Sequence, residues 1–338
     1  MKDVSAIVLA AGQGTRMKSG LAKVLHPLSG RPILSYVIET LLLCGLKNIH
    51  VVIGYQADRV RQVFDNPVLT MVLQESQRGT GHAVKCCADV MASFDGPVIV
   101  LCGDVPLLEQ ATLESFYRHY LETSAGISVM TVQIDNPSGY GRIIKNDQGS
   151  VSAIVEHKDA TPAQLRITEI NTGIYLVDSR LLFSLVNEIK DDNKAGEYYL
   201  TDIVGLASTR GLRVTAFCVE DSVQVKGINT RVDLAQAESH LNLKRLRKWM
   251  LDGVSIIGEQ TVFVGPQVTL GRDTVIYPHT ILEGRTQLGQ ACHVEPFCLI
   301  KDAIIGDRVM IKSFTLVDGE SIPDGTVCFR PAVGITRR

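Results

Sequence analysis

The feature that most constrains the fold is a run of aliphatic residues, spaced six apart, in the C-terminal part of the chain. One five-residue step interrupts an otherwise regular series. The aliphatic positions are Val264, Leu270, Ile276, Leu282, Leu288, Val294, Ile300, Ile305, Ile311 and Val317. A six-residue period is typical of a parallel β-helix, in which each side of a triangular coil takes one repeat. Because one coil cannot bury its apolar face alone, we expect roughly three stacked coils.

The residues before about position 228 follow a different pattern, in which short apolar runs alternate with segments of helical spacing. The runs lie at 6–9, 49–53, 98–101, 127–132 and 174–177. This alternation predicts a Rossmann-like α/β domain with a mainly parallel sheet. Between 230 and 252 no proline or glycine interrupts the helical spacing, which predicts one long linker helix. The predicted domains are therefore 1–228, 229–252 and 253–338.

Composition excludes several classes of protein. With 34 basic and 36 acidic residues, the net charge of -2 gives no reason to expect a nucleic-acid or membrane partner. The apolar stretch at the N-terminus is too short for a signal peptide or a spanning helix. Eight scattered cysteines contain no C-x-x-C pair, so a zinc or thioredoxin-like site is not expected. They are interpreted as reduced thiols of a cytoplasmic protein.

A glycine-rich segment follows the first predicted strand. Residues 9–17 read Leu-Ala-Ala-Gly-Gln-Gly-Thr-Arg-Met, and Lys23 comes soon after. The two glycines let backbone N–H groups approach a phosphate, and a helix N-terminus after the turn would add favourable partial charge. Arg16 and Lys23 then offer full charges to a triphosphate. A dinucleotide-binding turn is the alternative, but Met17 stands where its third glycine would be, and no Walker G-K-[ST] follows.

Two further polar residues stand at places suited to ligands. Asp104 ends an apolar strand, where ligands of open α/β sheets gather, and its carboxylate suits a hard cation such as magnesium. A turn or helix-capping aspartate is the alternative interpretation. Gln74 opens a polar loop, and its amide both donates and accepts, so it can match one edge of a uracil. A capped helix start at Thr80 is compatible with that role.

Four more motifs complete a specific set. They are Gly-Tyr-Gly-Arg at 139–142, Glu-His-Lys-Asp at 156–159, Glu-Ile-Asn-Thr-Gly at 169–173 and Gly-Ile-Asn at 227–229. Together with the glycine-rich opening, Gly-Thr-Gly-His-Ala at 79–83 and Gly-Asp-Val-Pro at 103–106, they resemble the GlmU family. These are bifunctional N-acetylglucosamine-1-phosphate uridyltransferases and glucosamine-1-phosphate acetyltransferases. The resemblance runs from Ala6 to about Ile311.

The resemblance implies a reaction and roles for individual residues. The reaction is the magnesium-dependent synthesis of UDP-N-acetylglucosamine and pyrophosphate from UTP and N-acetylglucosamine 1-phosphate. Arg16 and Lys23 would act on the phosphates, and Asp104 and Asn229 would ligate Mg²⁺. The implied nucleotide-binding residues are Leu9, Ala10, Ala11, Gly12, Gly14, Thr15, Gln74, Gly79, Thr80 and Gly103. The implied residues for the N-acetylglucosamine moiety are Gly141, Glu156 and Asn171.

The sequence also departs from the family pattern. Cys102 stands where an aromatic residue is usual, and Ala22 where proline is usual. The family's left-handed β-helix continues for several coils that carry the acetyltransferase site. Here no histidine follows His293, and the basic residues after Ile311 fall in no acetyl-transfer motif. We therefore expect no acetyltransferase activity, and by resemblance we expect a homotrimer formed through residues 253–338.

Two other functions stay open at this point. One is a different sugar-1-phosphate nucleotidyltransferase, such as a glucose-1-phosphate thymidylyltransferase, although Gln74 and Asn229 argue against it. The other is a non-catalytic regulatory subunit that uses the β-helix for assembly, although it would have no need of Arg16 or Lys23.

Overall fold

The structure is a computed structural model and describes residues 1–330 of the chain, so the last eight positions of the predicted 253–338 domain lie outside the described residues. The chain divides into two compact units, Met1–Leu234 and the residues from Ala235 onward. The division falls within the long helix. No helix of the described residues is long and apolar enough to cross a membrane.

The first unit is built on a nine-stranded sheet and a separate two-stranded pair, β2 with β3. Its strands are β1 (Ser5–Ala10), β2 (Pro27–Leu28), β3 (Arg31–Pro32), β4 (Asn48–Ile53), β5 (Leu69–Leu73), β6 (Pro97–Cys102), β7 (Ile127–Gln133), β8 (Arg142–Lys145), β9 (Val151–Val155), β10 (Glu169–Asp178) and β11 (Val214–Val219). The main path runs β11-β7-β10-β6-β1-β4-β5, and the β8–β9 hairpin joins it through β10.

Helices cover both faces of this sheet. They are α1 (Ile33–Leu43), α2 (Ala57–Val63), α3 (Thr80–Lys85), α4 (Gln110–Thr123), α5 (Ser179–Val186) and α6 (Asp202–Thr209). The predicted long helix is α7 (Arg231–Leu251). Alternate residues of β1 enter different apolar clusters, since Val8 packs on one side of the sheet and Ile7 on the other. Burial on both faces explains why these strands read as continuous apolar runs.

In the main path, β10 alone runs antiparallel to both of its neighbours. The other six strands share one direction, so the predicted mainly parallel Rossmann-like sheet is confirmed. Pairing of β10 with β7 shifts by two residues between Asn171 and Ile174. Thr172 and Gly173 are the extra residues of this bulge; the Thr172 hydroxyl donates to the Met130 carbonyl, and Gly173 adopts a φ of 78°.

The second unit contains thirteen short strands in three parallel sheets. The strands are β12 (Ser255–Ile256), β13 (Phe263–Val264), β14 (Thr269–Leu270), β15 (Val275–Ile276), β16 (Ile281–Glu283), β17 (Gln287–Leu288), β18 (His293–Val294), β19 (Leu299–Lys301), β20 (Ile304–Ile305), β21 (Met310–Ile311), β22 (Leu316–Asp318), β23 (Ser321–Ile322) and β24 (Val327–Cys328). Each of the first ten strands pairs with the strand three places further along, so the described strands form just over four stacked coils, one more than the roughly three expected. The ten predicted aliphatic positions are all buried. This arrangement is consistent with the predicted left-handed β-helix.

The coils approach one another closely at glycines. A Cβ atom on Gly289 would lie 2.7 Å from the backbone of Gly306 in the next coil and 2.3 Å from Oδ1 of Asp307. That Oδ1 accepts a hydrogen bond of 2.8 Å from the backbone N–H of Gln290. Hydrogen bonds between coils therefore use space that a side chain at position 289 would need.

The part of α7 that belongs to the second unit packs on the β-helix. The Asn242 amide donates to the Val262 carbonyl at 2.7 Å and accepts from the Val264 N–H at 3.0 Å. Leu246 is fully buried in the same apolar cluster as the first coil. The helix thereby covers apolar surface that the first coil would otherwise expose.

Candidate active site

The carboxyl ends of β1, β4, β5 and β6 meet at one edge of the sheet, because these four strands are parallel neighbours. The residues at and after these ends surround a cleft of about 290 Å³. Nine residues predicted for the site line it, namely Leu9, Ala10, Ala11, Gly12, Lys23, Gln74, Gly79, Thr80 and Asp104. Residues from distant parts of the sequence thus form a single concave surface, as expected at this edge of an open α/β sheet.

The glycine-rich turn shapes this cleft through packing. Gly14 has a φ of 70°, and a Cβ atom there would lie 2.6 Å from Cβ of Lys23. Thr15 begins only a three-residue 3-10 helix, Thr15–Met17. A helix therefore does begin behind the turn, but the left-handed Lys18 ends it after one turn, so it adds little partial charge. Gly14 and Thr15 support the cleft and do not line it.

Opposite charges converge at the mouth of the cleft. The Lys23 ammonium donates to the Asp104 carboxylate and, at 3.1 Å, to Oδ1 of Asn229. Arg16 donates to the same Oδ1 at 2.9 Å. The Lys23 and Asp104 side chains are only 16% and 14% exposed, so this contact is largely screened from water. Two residues predicted as metal ligands therefore face one cation in this structure.

This oxygen pair fits a magnesium ion. The ammonium of Lys23 stands in for a cation held between a carboxylate and an amide oxygen, which are hard ligands. Within residues 1–330 there is no group of three His, Cys, Asp or Glu side chains placed to hold a metal. Mg²⁺ needs no such cage, since it is usually bound through one or two carboxylates together with water and substrate phosphates.

The backbone holds both ligands in place. The Ile228 N–H donates to the Asp104 carbonyl at 2.8 Å, which ties the 227–229 segment to the end of β6. Gly103 donates to the Leu9 carbonyl at 2.9 Å and joins β6 to β1, although it does not line the cleft.

Asp233 anchors the segment that carries Asn229. One carboxylate oxygen of Asp233 accepts from the backbone N–H groups of Asn229 and Thr230 and from the Thr230 hydroxyl. Burial alone would raise the pKa of Asp233, but these hydrogen bonds and one from Lys226 outweigh it and lower the pKa. Sequence analysis missed this residue, although Thr230-x-x-Asp233 at a helix start is a capping signal.

At the inner end of the cleft, Gln74 is nearly buried. Its Nε2 donates to the Gly79 carbonyl at 3.1 Å and contacts Nδ1 of His82 at 3.0 Å. Gly79 has a φ of 106°, and a Cβ atom there would lie 2.6 Å from the Tyr198 carbonyl oxygen. Thr80 begins α3, and its hydroxyl accepts from the Leu200 N–H at 3.0 Å. The loop from Gln74 to Thr80 is thus tightly packed at this part of the cleft.

The three residues predicted to hold a sugar form a second group. A Cβ atom on Gly141 would lie 3.4 Å from Oε1 of Glu156, and the Asn171 N–H donates to the Gly141 carbonyl at 2.9 Å. Burial raises the pKa of Glu156. The Asn171 amide donates to the Tyr175 hydroxyl at 2.8 Å. These side chains do not line the cleft around Lys23.

Cys102 lies between the cleft and the bulge of β10. It lines the cleft, and its Sγ lies 3.3 Å from where Gly173 would carry a Cβ atom. Burial raises the pKa of Cys102 to about 12, so the thiol is not a nucleophile near neutral pH. Ala22 places its N–H 3.0 Å from the Gln56 side-chain oxygen, a bond that proline could not make.

Two polar residues that line the cleft, Gln77 and Glu197, were missing from the predicted site. Gln77 lies in the polar loop that begins at Gln74, where nothing in its spacing distinguished it from its neighbours. Their positions result from the packing of the Gly79 loop on the segment before α6.

The sequence is similar to those of known proteins over most of its length. Residues 6–192 match the model of the MobA-like NTP transferase domain family. The bifunctional protein GlmU of Geotalea daltonii is 44% identical over 310 residues, which cover 91% of this chain and 68% of the relative. GlmU of Pelobacter propionicus is 40% identical over 323 residues, or 95% of this chain and 70% of the relative. The chain therefore spans roughly two thirds of the length of these relatives.

A solved structure shares the fold at lower identity. It is described as a glucose-1-phosphate thymidylyltransferase from Bacillus anthracis in complex with sucrose. It superposes with a TM-score of 0.56 at 22% identity and covers 70% of this chain and 94% of its own.

Proposed function

The chain belongs to the GlmU family, and from this we propose that it transfers a uridylyl group from UTP to N-acetylglucosamine 1-phosphate. The products would be UDP-N-acetylglucosamine and pyrophosphate. The observation that carries the proposal is the convergence of Lys23 on Asp104 and Asn229 at a cleft whose inner end holds Gln74.

The proposed reaction needs little acid–base catalysis. An oxygen of the sugar phosphate attacks the α-phosphorus of UTP in line, and the bond from that phosphorus to the bridging oxygen breaks, releasing pyrophosphate. The attacking phosphate is already anionic near neutral pH, so no general base is required. Catalysis is then positioning together with neutralisation of charge, as in other phosphoryl transfers. Arg16 and Lys23 supply two of the positive charges.

Asp104 and Asn229 would hold Mg²⁺. The ion would supply further neutralisation of the phosphate charge during the transfer. In the free protein, Lys23 is hydrogen-bonded to both of these ligands. Its ammonium group therefore lies close to the place where the phosphates of a bound nucleotide would lie.

Gly141, Glu156 and Asn171 form a compact polar group that suits the hydroxyl and acetamido groups of the sugar. The main-chain groups at 9–12 and the loop at 79–80 would hold the nucleotide. Gln74 would contact the uracil.

Pyrophosphate release tests the proposal. UTP, dTTP and CTP are each incubated with N-acetylglucosamine 1-phosphate and glucose 1-phosphate, with Mg²⁺ or with a chelator. We expect UTP and N-acetylglucosamine 1-phosphate to be the best pair and the chelator to abolish turnover. Lys23→Met should lose activity, whereas the matched change at the exposed Lys18 should not. A preference for dTTP with glucose 1-phosphate would support the thymidylyltransferase, and no release with any pair would support a non-catalytic subunit.

We also propose that the second unit forms a homotrimer. Ile281, Leu299 and Leu316 stand in register on one sheet of the β-helix, and all three are exposed in the single chain. Phe297 and Phe314 are exposed beside them and stack at 5.1 Å. Such a surface favours self-association. Light scattering that finds a monomer at micromolar concentration would rule the trimer out.

The expectation that the protein does not acetylate glucosamine 1-phosphate stays a prediction. Two of the four basic residues after Ile311 are engaged in ion pairs, Lys312 with Glu295 and Arg330 with Glu320. Arg337 and Arg338 lie outside the described residues. Release of free thiol from acetyl-CoA in the presence of glucosamine 1-phosphate, at a rate comparable to pyrophosphate release, would contradict it.

A cytoplasmic location is proposed from the cysteines. All eight are free thiols, as is usual in a reducing compartment.

A further inference from the structure

The side-chain amide of Gln74 is held in one orientation. Gln74 is 3% exposed, and its Nε2 carries two hydrogens. One points to the Gly79 carbonyl oxygen, which can only accept, and this contact assigns the nitrogen. The other points to Nδ1 of His82. Because both donors are used away from the cleft, the amide oxygen is the polar atom that Gln74 offers to a ligand there.

His82 matters because its Nδ1 can change from acceptor to donor. A neutral imidazole with its proton on Nε2 accepts from Gln74, whereas a protonated ring has an N–H at both nitrogens. Two donors would then face each other at 3.0 Å. Rotating the amide would relieve that conflict, but it would bring Oε1 against the Gly79 carbonyl and expose the NH₂ group to the cleft.

We propose that His82 is a positioning residue that sets the base preference of the nucleotide site, by keeping the Gln74 amide oxygen directed into the cleft. The proposal rests on the proposed nucleotidyl transfer. An amide oxygen accepts from the N3–H of uracil, but it faces an acceptor, N3, in cytosine. A rotated amide would favour the opposite base. His82 itself does not line the cleft around Lys23, so it would act on a bound nucleotide through Gln74.

The surroundings of His82 keep the ring neutral. Burial lowers its pKa most, and the positive charges of Arg78 and Lys85 lower it further, while the Ser76 carbonyl raises it. Arg78 also pairs with Asp191 at 3.6 Å and lies over the Tyr198 ring. Arg78, Lys85 and Tyr198 line, together with His82, one cavity of about 320 Å³. The acceptor form is therefore the stable one at neutral pH and is lost on acidification.

Two substitutions separate positioning from packing. His82→Asn can keep an acceptor oxygen near the place of Nδ1 but does not titrate, whereas His82→Leu fills the space without an acceptor. The measurement is the ratio of kcat/KM for UTP to that for CTP, with N-acetylglucosamine 1-phosphate, between about pH 5.5 and about pH 8.5. For the wild type we expect the ratio to fall toward the acid end by up to about tenfold, the size of one hydrogen bond, and the fall is partial at about pH 5.5 because the pKa of His82 is lowered.

The variants should behave differently. His82→Asn should hold a high ratio at every pH, and His82→Leu should show a ratio lowered about tenfold at every pH. In a Gln74→Leu background, His82→Leu should leave the ratio unchanged, because the residue through which it acts is gone. If His82→Leu instead lowers activity equally with both nucleotides, His82 is only structural and the proposal is overturned.

Two further measurements keep the outcomes apart. If the wild type releases no pyrophosphate, the proposed function has failed, and the base preference is then measured by calorimetry with UMP and CMP. If His82→Leu does not fold, ¹⁵N NMR of the wild-type imidazole decides. An unprotonated Nδ1 at neutral pH supports the proposal, and a protonated Nδ1 overturns it.

Discussion

Replacing Asp104 by asparagine is the most direct test of the proposed metal site. The substitution keeps the shape of the side chain and exchanges one anionic oxygen for an NH₂ group. In the wild type, that carboxylate accepts from Lys23 and lies beside Asn229, with only 14% of the side chain exposed. The change therefore removes one negative charge from a partly dry site.

The effects on folding and on catalysis should differ in size. Lys23 keeps its bond to Asn229 at 3.1 Å, and the new amide oxygen can still accept from it. We expect the free energy of unfolding to fall by about 1–3 kcal/mol, below the cost of leaving a buried charge unpaired. Turnover should fall at least about a hundredfold, or about 2.7 kcal/mol in activation free energy, since the charge that binds the cation is lost.

The assay is pyrophosphate release over a series of Mg²⁺ concentrations, with thermal unfolding measured on the same samples. Asp58→Asn is the matched control, because the Asp58 side chain is 91% exposed and pairs with Arg61 on the same helix. The control should keep wild-type turnover. Turnover of Asp104→Asn within a few-fold of the wild type would refute the metal role, as would a loss fully explained by unfolding.

Three further predictions concern stability and reactivity. Gly289→Ala should destabilise the second unit by about 1–3 kcal/mol in urea unfolding, because the added Cβ would clash with Asp307. Gly205→Ala in α6 is the control and should be neutral or stabilising, because no described atom lies within 4 Å of the added Cβ. Burial lowers the pKa of His50, so below about pH 6.5 the unfolded chain binds more protons, and the wild type should lose stability relative to His50→Leu; an unchanged difference between the urea midpoints would contradict this. Iodoacetamide should label the exposed Cys218 first in the native protein, while the buried Cys87, whose pKa burial raises to about 12, stays protected; comparable labelling rates in mass spectra would count against this.

Local patterns predicted where the cleft lies, because a strand followed by glycine or a polar residue marks the edge of a parallel sheet. They also predicted the coils, since a six-residue period has few structural solutions. The five-residue step is also seen in the structure. The coil from Ile300 to its partner Val317 is one residue shorter than the coil from Leu282 to its partner Ile300. These features depend on neighbours in the sequence.

Features that depend on distant contacts could not be predicted in this way. Lys23 and Asn229 are 206 positions apart, and their contact exists only after the sheet has formed. The reversed direction of β10 leaves no sign in its apolar pattern, because a strand buried on both faces reads alike in either direction. The helix after the glycine-rich turn ends after three residues because Lys18 adopts a left-handed conformation, which a lysine gives no reason to expect.

The bulge in β10 inserts two residues. An even number of inserted residues leaves the alternation of side chains between the two faces of the sheet unchanged. Ile170 before it and Ile174 after it therefore enter the same apolar cluster, opposite Val132 and Met130 of β7. Removing one inserted residue would turn every later side chain of β10 to the wrong face, whereas removing both would leave the pattern of buried residues intact. The core thus tolerates insertions here only in pairs. The bulged segment beside Asn171 can therefore change in length by two residues while the later side chains of β10 keep their faces of the sheet.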